Sequence, residues 1–306
     1  MTASNDLSLF PVTAAIEPGG ELSIAGHRLS ELAEEYGTPY YLYDGATVRA
    51  QVNRLKSLFH QYYPAEAMIA YASKAYFSFS MAQKMAELGI GADVVSLGEI
   101  RVAQQAGFPA EVIHLHGNNK SQAELQAALA WGIQAIVVDS LDELEFLEGL
   151  SREAGKRARI WLRITPDLNV NTHSHIETSH SDSKFGLHIE NGDAGQAIRQ
   201  AVASPWLELV GLHAHLGSQI FAAEPYRLAI ERLFALAEAE RFIPKEISPG
   251  GGWGVCYTDA DPADDAEPWV KTVSQTVTAE CRRLGWPLPR LVLEPGRWLV
   301  ARAGVA

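Results

Sequence analysis

The stretch MIAYASK (68–74), followed by FSFSMAQKMAELG (77–89) and GADVVS (91–96), decides how this chain folds. A run of aliphatic, β-branched and aromatic residues that ends in turn formers reads as a strand. A following stretch with apolar residues three and four apart reads as an amphipathic helix. The same alternation continues outward through VIHLHG (112–117), AIVVDS (135–140), RIWLRI (159–164), LVGLHAHLGS (209–218), EISPGG (246–251) and RLVLEPG (290–296). Helical patterns such as SQAELQAALAWG (121–132) and PYRLAIERLFALAEAE (225–240) lie between them. Strands joined through helices run parallel, and eight such units close a ring without any reversal of strand order. The expected fold is α/β, a (β/α)8 TIM-like barrel over residues 45–300.

Three turns that follow strands carry the S-x-x-E pattern: Ser96 with Glu99, Ser121 with Glu124, and Ser140 with Glu143. The serine hydroxyl and the glutamate carboxylate satisfy free amides in a helix's first turn, so these serines read as structural. They also mark the C-terminal ends of the strands, where barrels build their chemistry. Residues 1–44 stand outside the repeat. They hold strand-like ends, a helix from Ser30 to Tyr36 and a Gly-Thr-Pro turn. ATVRAQVNRLKSLFHQY (46–62) is a helix that could join the outer ring. Two irregular stretches, the His-rich 166–186 and the acidic 257–268, are long enough to be functional loops.

With 306 residues, 47% hydrophobic and 20% charged, the chain can bury an ordinary core, and two cysteines supply no disulfide framework. Cys256 and Cys281 therefore suit a reducing compartment. Lys and Arg number 25 against 37 Asp and Glu, and a net charge of −12 repels a phosphate backbone, so no nucleic-acid partner is expected. The opening MTASNDLSLF has no basic region followed by an apolar stretch, and no apolar run of about 18 residues exists to span a membrane. A cytoplasmic protein is expected.

Lys74 closes the first barrel strand. A rim lysine usually packs its stem and holds its ammonium in water, but a partly desolvated one is an amine nucleophile toward a carbonyl. Leu216-Gly217-Ser218-Gln219 follows the sixth strand and Pro249-Gly250-Gly251-Gly252 the seventh. Consecutive glycines let backbone amides approach an anion, and Ser218 adds a donor; a pair of tight turns is the plainer reading. Glu294-Pro295-Gly296-Arg297 ends the eighth strand. Its charges could be a surface pair, or Arg297 could neutralise a phosphate or carboxylate while Glu294 keeps a ring nitrogen protonated. A competing reading comes from three H-x-H pairs, His114/His116, His173/His175 and His213/His215. On a strand that spacing aims both imidazoles one way, as the metal site of a barrel hydrolase would need. No carboxylate is evident beside them in the sequence, and the triple glycine goes unexplained.

An amine, a phosphate cup and a carboxylate on neighbouring strand ends together describe a pyridoxal phosphate site. The chain resembles the fold-type III pyridoxal phosphate decarboxylases in ordered blocks from about Gly20 to Gly304: YASKAY, GADVVSLGEI, HGNNKS, SKFGLHI, HAHLGSQI, PGGGWG and EPGRWLVARAG. HGNNKS, SKFG and GSQI favour the diaminopimelate branch over ornithine and arginine decarboxylases; a decarboxylase of another basic or diamino acid, ornithine, arginine or carboxynorspermidine, is the alternative. The resemblance implies an alanine racemase-like fold, pyridoxal 5′-phosphate as cofactor and no metal. It implies decarboxylation of meso-2,6-diaminopimelate to L-lysine, or else a cofactor-binding relative without activity. Lys74 matches the lysine that bonds the cofactor, and His215 the histidine that stacks on its ring. Ser218, Gly250, Gly251 and Gly252 match the phosphate cup, and Glu294 the partner of the ring nitrogen. Arg297, after Pro295 and Gly296, matches the group that meets phosphate or substrate carboxylate, and Asp93 and Arg163 match supporting rim residues. Tyr76 and Thr165 stand where the family usually has Asn. The family pattern continues past the eighth strand into a C-terminal β-domain that also uses the N-terminal segment. Residues 1–44 and 301–306 are therefore expected to belong to such a domain, and a homodimer with shared active sites is expected. Cys256 and Cys281 do not match that domain's cysteine motif.

Overall fold

Segments that are apolar on both faces can only be strands buried between a filled barrel and an outer layer of helices. The structure, a computed structural model, describes residues 7–166, 168 and 184–306. Its barrel strands are β1 (Ala67–Ala72), β2 (Gly91–Val94), β3 (Ile113–Leu115), β4 (Ala135–Val138), β5 (Ala158–Thr165), β6 (Leu207–His213), β7 (Glu246–Ser248) and β8 (Arg290–Leu293). Each pairs in parallel with the next, and β8 pairs with β1, so the ring is closed. The helices are α1 (Gly45–Tyr62), α2 (Phe79–Glu87), α3 (Leu97–Gln105), α4 (Gln122–Trp131), α5 (Leu141–Ala154), α6 (Asp193–Ala203), α7 (Glu224–Ala239) and α8 (Glu267–Leu284). The TIM-like barrel read from the sequence is thus the fold.

Most of the core lies between strands and helices, in one continuous cluster that runs from Val48 of α1 to Leu299. The barrel interior is separate and small: Ala70, Ala135, Val137, Val210 and Val292 surround the fully buried indole of Trp161. Small side chains on four strands leave room for one large ring from the fifth, as close packing of a barrel requires.

Three strands end three or more residues before their sequence runs do. β6 stops at His213 rather than Ser218, β7 at Ser248 rather than Gly251, and β8 at Leu293 rather than Gly296. Gly217, Pro249 and Pro295 interrupt the ladder there, and the residues released from it build the mouth of the barrel. A further short strand, Leu187–His188, lies alongside the end of β5. The capping serines behave as expected, each accepting from the amide three residues on. Only Glu124 returns to its own cap. Glu99 instead accepts from Ser73 Oγ at 2.9 Å, and Glu143 from Lys120 Nζ at 2.6 Å, so two of the three carboxylates brace neighbouring strand ends.

Before the barrel, Ala14–Ile16, Leu22–Ile24 and His27–Arg28 form an antiparallel sheet, and a helix spans Leu29–Tyr36. Leu42–Tyr43 pairs antiparallel with Gly304–Val305, which brings the segment before the barrel to the segment after it. Asp44 caps α1 by accepting from the amides of Ala46 and Thr47, and α1 joins the outer ring, with the Tyr62 hydroxyl donating to Glu267 of α8. Among the described residues, no helix is long and apolar enough to cross a membrane.

Candidate active site

The C-terminal strand ends open into a cavity of about 580 Å³. It gathers Lys74, Asp93, Arg163, His215, Ser218, Gly252, Glu294, Pro295, Gly296 and Arg297, ten of the twelve residues singled out in the sequence. Gly250 and Gly251 do not line it. They lie behind its wall, where the β7 turn passes close to its neighbours. A Cβ at Gly251 would sit 1.9 Å from the Glu294 carbonyl oxygen, and one at Gly250 2.9 Å from His215 Nδ1. Gly252 faces the cavity with φ +90°, and a Cβ there would meet the Gly217 carbonyl oxygen at 2.0 Å. The glycines therefore let the turns after β6, β7 and β8 nest together, with the His215 ring resting on them.

Lys74 sits on a single turn, Ser73–Ala75, that breaks away from β1. Glu99 holds that turn through Ser73 and accepts from the Val95 amide at 2.7 Å. Lys74 is exposed to the cavity, yet the surrounding walls strip part of its hydration. This loss of hydration lowers its pKa below the ordinary lysine value; the Glu294 carboxylate opposes the shift and Arg163 adds to it. Arg163 lies 3.5 Å from Asp139 Oδ1, and its guanidinium stacks 4.5 Å from the Phe185 ring centre. Asp139 also accepts from the Gly186 amide at 2.9 Å.

Glu294 is buried at the end of β8. Ser248 Oγ donates to its Oε1 at 2.6 Å, and His213 Nε2 lies 3.0 Å from Oε2. Burial raises its pKa, and the Asp93 charge raises it further. Asp93 Oδ1 lies 3.3 Å from His114 Nδ1 and 3.6 Å from His116 Nε2. Burial works to raise the Asp93 pKa, but the imidazoles of His116 and His114 outweigh it and hold the carboxyl below the usual range. Burial also lowers the pKa values of His116, His213 and His215 below that of a free imidazole, which favours the neutral rings. At the mouth, Arg297 donates to Ser218 Oγ at 3.3 Å and to the Tyr257 hydroxyl at 3.1 Å.

Sequence reasoning missed Ser248, His116, Asp139, Phe185 and Tyr257. Only the H-x-H spacing pointed to any of them, and it was read as a metal signal. The sequence showed no carboxylate beside those pairs, but the fold brings Asp93 and Glu294 to His114, His116 and His213. His116, His213 and Glu294 have ligand-type atoms within 4.8 Å of one another, but the Glu294 oxygens are engaged by Ser248 and His213. His173 and His175 lie outside the described residues.

The family described as "Pyridoxal-dependent decarboxylase, pyridoxal binding domain" matches residues 46–301. This chain belongs to it. The metal-hydrolase reading is thereby replaced. Among relatives of these pyridoxal-dependent decarboxylases, the chain is 43% identical over 289 residues to diaminopimelate decarboxylase of Bacillus subtilis (strain 168), covering 93% of this chain and 66% of that protein. Diaminopimelate decarboxylase of Bacillus methanolicus is 39% identical, with 96% and 69% covered. A crystal structure of diaminopimelate decarboxylase from M. jannaschii in complex with L-lysine superposes with a TM-score of 0.90 at 32% identity, over 96% of this chain and 68% of that one. The chain thus spans about two thirds of the length of these relatives.

The cofactor of the pyridoxal-dependent decarboxylases, pyridoxal 5′-phosphate, fits the residues present. The cavity volume lies within the range for small-molecule sites. A desolvated amine, a buried carboxylate and an exposed guanidinium share it, and its glycine wall has no room for a Cβ.

Proposed function

We propose that the protein decarboxylates meso-2,6-diaminopimelate to L-lysine and carbon dioxide. One observation carries the reading: the Lys74 amine, the Glu294 carboxylate and the Arg297 guanidinium line one cavity, in a chain 43% identical to a diaminopimelate decarboxylase. Pyridoxal phosphate, when bound, supplies an electron sink for the pair left on the α-carbon as carbon dioxide departs.

The protein's own groups prepare that chemistry. Loss of hydration lowers the Lys74 pKa and so favours the free amine, the form that can bond an aldehyde. Glu294, deep in the cavity, offers a carboxylate to a protonated ring nitrogen and so favours decarboxylation. His215 gives the cavity a flat wall against which a ring can stack. Arg297, steadied by Ser218 and Tyr257, binds an anionic group at the mouth, phosphate or substrate carboxylate. Gly252 and Gly296 leave the backbone open beside it. Asp93, on the neighbouring β2, and Arg163, on β5 across the ring, complete the surroundings of Lys74.

The antiparallel pairing of Leu42–Tyr43 with Gly304–Val305 supports reading residues 1–44 and 301–306 as part of a β-unit distinct from the barrel of 45–300. A homodimer acting in the cytoplasm completes the reading, and light scattering of the purified protein tests the dimer.

Borohydride reduction of the cofactor-loaded protein followed by peptide mapping is the decisive experiment. We expect a pyridoxyl group on Lys74, and its absence overturns the cofactor role. Lysine and carbon dioxide formed from meso-diaminopimelate faster than products from ornithine support the substrate, and the reverse order overturns it.

A further inference from the structure

The H-x-H pair of β6 is not explained by the reading above, which uses only His215. His213 is 1% exposed, and its Nε2 lies 3.0 Å from Glu294 Oε2. Among the described residues its Nδ1 has no hydrogen-bond partner. We propose that His213 is a positioning residue for Glu294, which together with Ser248 fixes the plane of the carboxylate and holds it as an acceptor facing the cofactor's ring nitrogen. The inference rests on the pyridoxal reading of the cavity.

The donors and acceptors around Glu294 make the assignment. Ser248 Oγ accepts from the Gly250 amide at 3.0 Å, so its own hydrogen is directed to Glu294 Oε1 at 2.6 Å. Oε1 is therefore an acceptor, and any proton on the carboxyl must sit on Oε2, in line with His213 Nε2. Two arrangements satisfy that contact. In one, His213 carries its proton on Nε2 and donates to an ionised Glu294. In the other, a protonated Glu294 donates to Nε2 and His213 carries its proton on Nδ1. The second strands an N–H donor in the interior at Nδ1, and a buried donor without an acceptor is costly. The first leaves only a bare Nδ1, and so it prevails.

The opposing influence is the surroundings. Groups facing Glu294 are Ser248 on β7, His213 on β6, His114 on β3 and His116 just after it, Asp93 on β2, and, beyond them, Lys74 after β1 and Arg163 on β5. Burial and the Asp93 charge both favour a protonated Glu294. A donor fixed at Oε2 is what counters them. His213 is itself held in place: its ring lies nearly parallel to Trp161 at 6.3 Å and edge-on to His116 at 5.0 Å.

The test uses the cofactor-loaded protein and two readouts besides turnover: the cofactor dissociation constant, and the pH dependence of the bound cofactor's absorption. For His213→Ala we expect the dissociation constant to rise about tenfold, the scale of one hydrogen bond to a charged group. We also expect a spectrum that changes with pH where the wild type's does not. His213→Gln, whose amide can donate to the same oxygen, should recover most of both. Ser248→Ala should change both readouts in the same direction as His213→Ala. If His213→Ala does not fold, His213→Gln and Ser248→Ala carry the comparison. A folded His213→Ala that stays within twofold of wild type with an unchanged spectrum overturns the proposal. So does a His213→Gln no better than alanine, or a Ser248→Ala with no change. Wild-type protein that yields no borohydride adduct on Lys74 overturns the pyridoxal reading beneath it. An adduct with unaltered variants overturns only the role of His213.

Discussion

Two glutamates are buried at opposite ends of the same barrel, in unlike company. Glu246 opens β7 at the N-terminal face. Its carboxylate accepts from Trp161 Nε1 at 2.7 Å, from Gln134 Nε2 and from Arg290 Nη1 at 3.4 Å. Arg290 also pairs with Glu66, so the cluster is a closed set of donors and acceptors. Glu294 follows β8 at the C-terminal face and has hydrogen-bond contacts to neutral partners only, Ser248 and His213. Nitrogens of His114, His116 and His213 beside it have no hydrogen-bond partner among the described residues. A buried charge with every partner in place strengthens the fold, whereas one left short of partners is held for a ligand.

Exchanging the functions of the two ends would break this comparison. Glu294→Gln keeps the shape but loses the charge, and we expect decarboxylation to fall about 10²–10³-fold, the usual scale for one electrostatic stabiliser, with little change in the urea midpoint. Glu246→Ala should do the opposite. It strands Trp161 Nε1 and Gln134, each unsatisfied donor costing about 1–3 kcal/mol, and the loss should appear in urea unfolding while cofactor affinity holds. A Glu246→Ala protein with normal stability and poor cofactor binding would refute the division. Gly251→Ala tests whether the β7 turn seats Glu294: with its Cβ 1.9 Å from the Glu294 carbonyl oxygen, the backbone must shift, at about 1–3 kcal/mol and with weaker cofactor binding.

Smaller effects sharpen the picture at the mouth. Only the neutral Lys74 amine bonds an aldehyde, so cofactor capture should slow about tenfold per pH unit below its pKa. Because that pKa is lowered, capture should stay fast at pH values where an ordinary lysine is protonated. Removing the opposing Glu294 charge in Glu294→Gln should move the profile to lower pH still, as stopped-flow capture would reveal. Tyr257→Phe removes one hydrogen bond to Arg297 and should raise the substrate KM by about fivefold, the scale of about 1 kcal/mol.

The barrel was legible because its signals are local. Each strand is an apolar run closed by a turn former, and the serine caps announce the helices within four residues. Lys74, Glu294 and Arg297 were legible because they stand at strand ends, where the fold class itself says to look. Ser248 carries no such mark: a serine within a three-residue strand says nothing until closure of the ring sets it beside β8. The H-x-H pairs show the limit well. Alternation along a strand correctly turned His114 and His116 inward, but whether a metal or a carboxylate awaited them depended on Asp93 and Glu294, which come from other strands. Glu99 and Glu143 likewise matched a capping pattern and were drawn instead to Ser73 and Lys120, contacts made only between neighbouring units of the ring.

Trp161 adds a consequence of its own. Its indole fills the axis below His114 and gives its N–H to Glu246 on the far side. Among the described residues the barrel is therefore a cup that opens at its C-terminal end. Anything that enters between Lys74 and Arg297 must back out past the same residues, so traffic is one-in, one-out, and a departing product stands in the path of the next arrival.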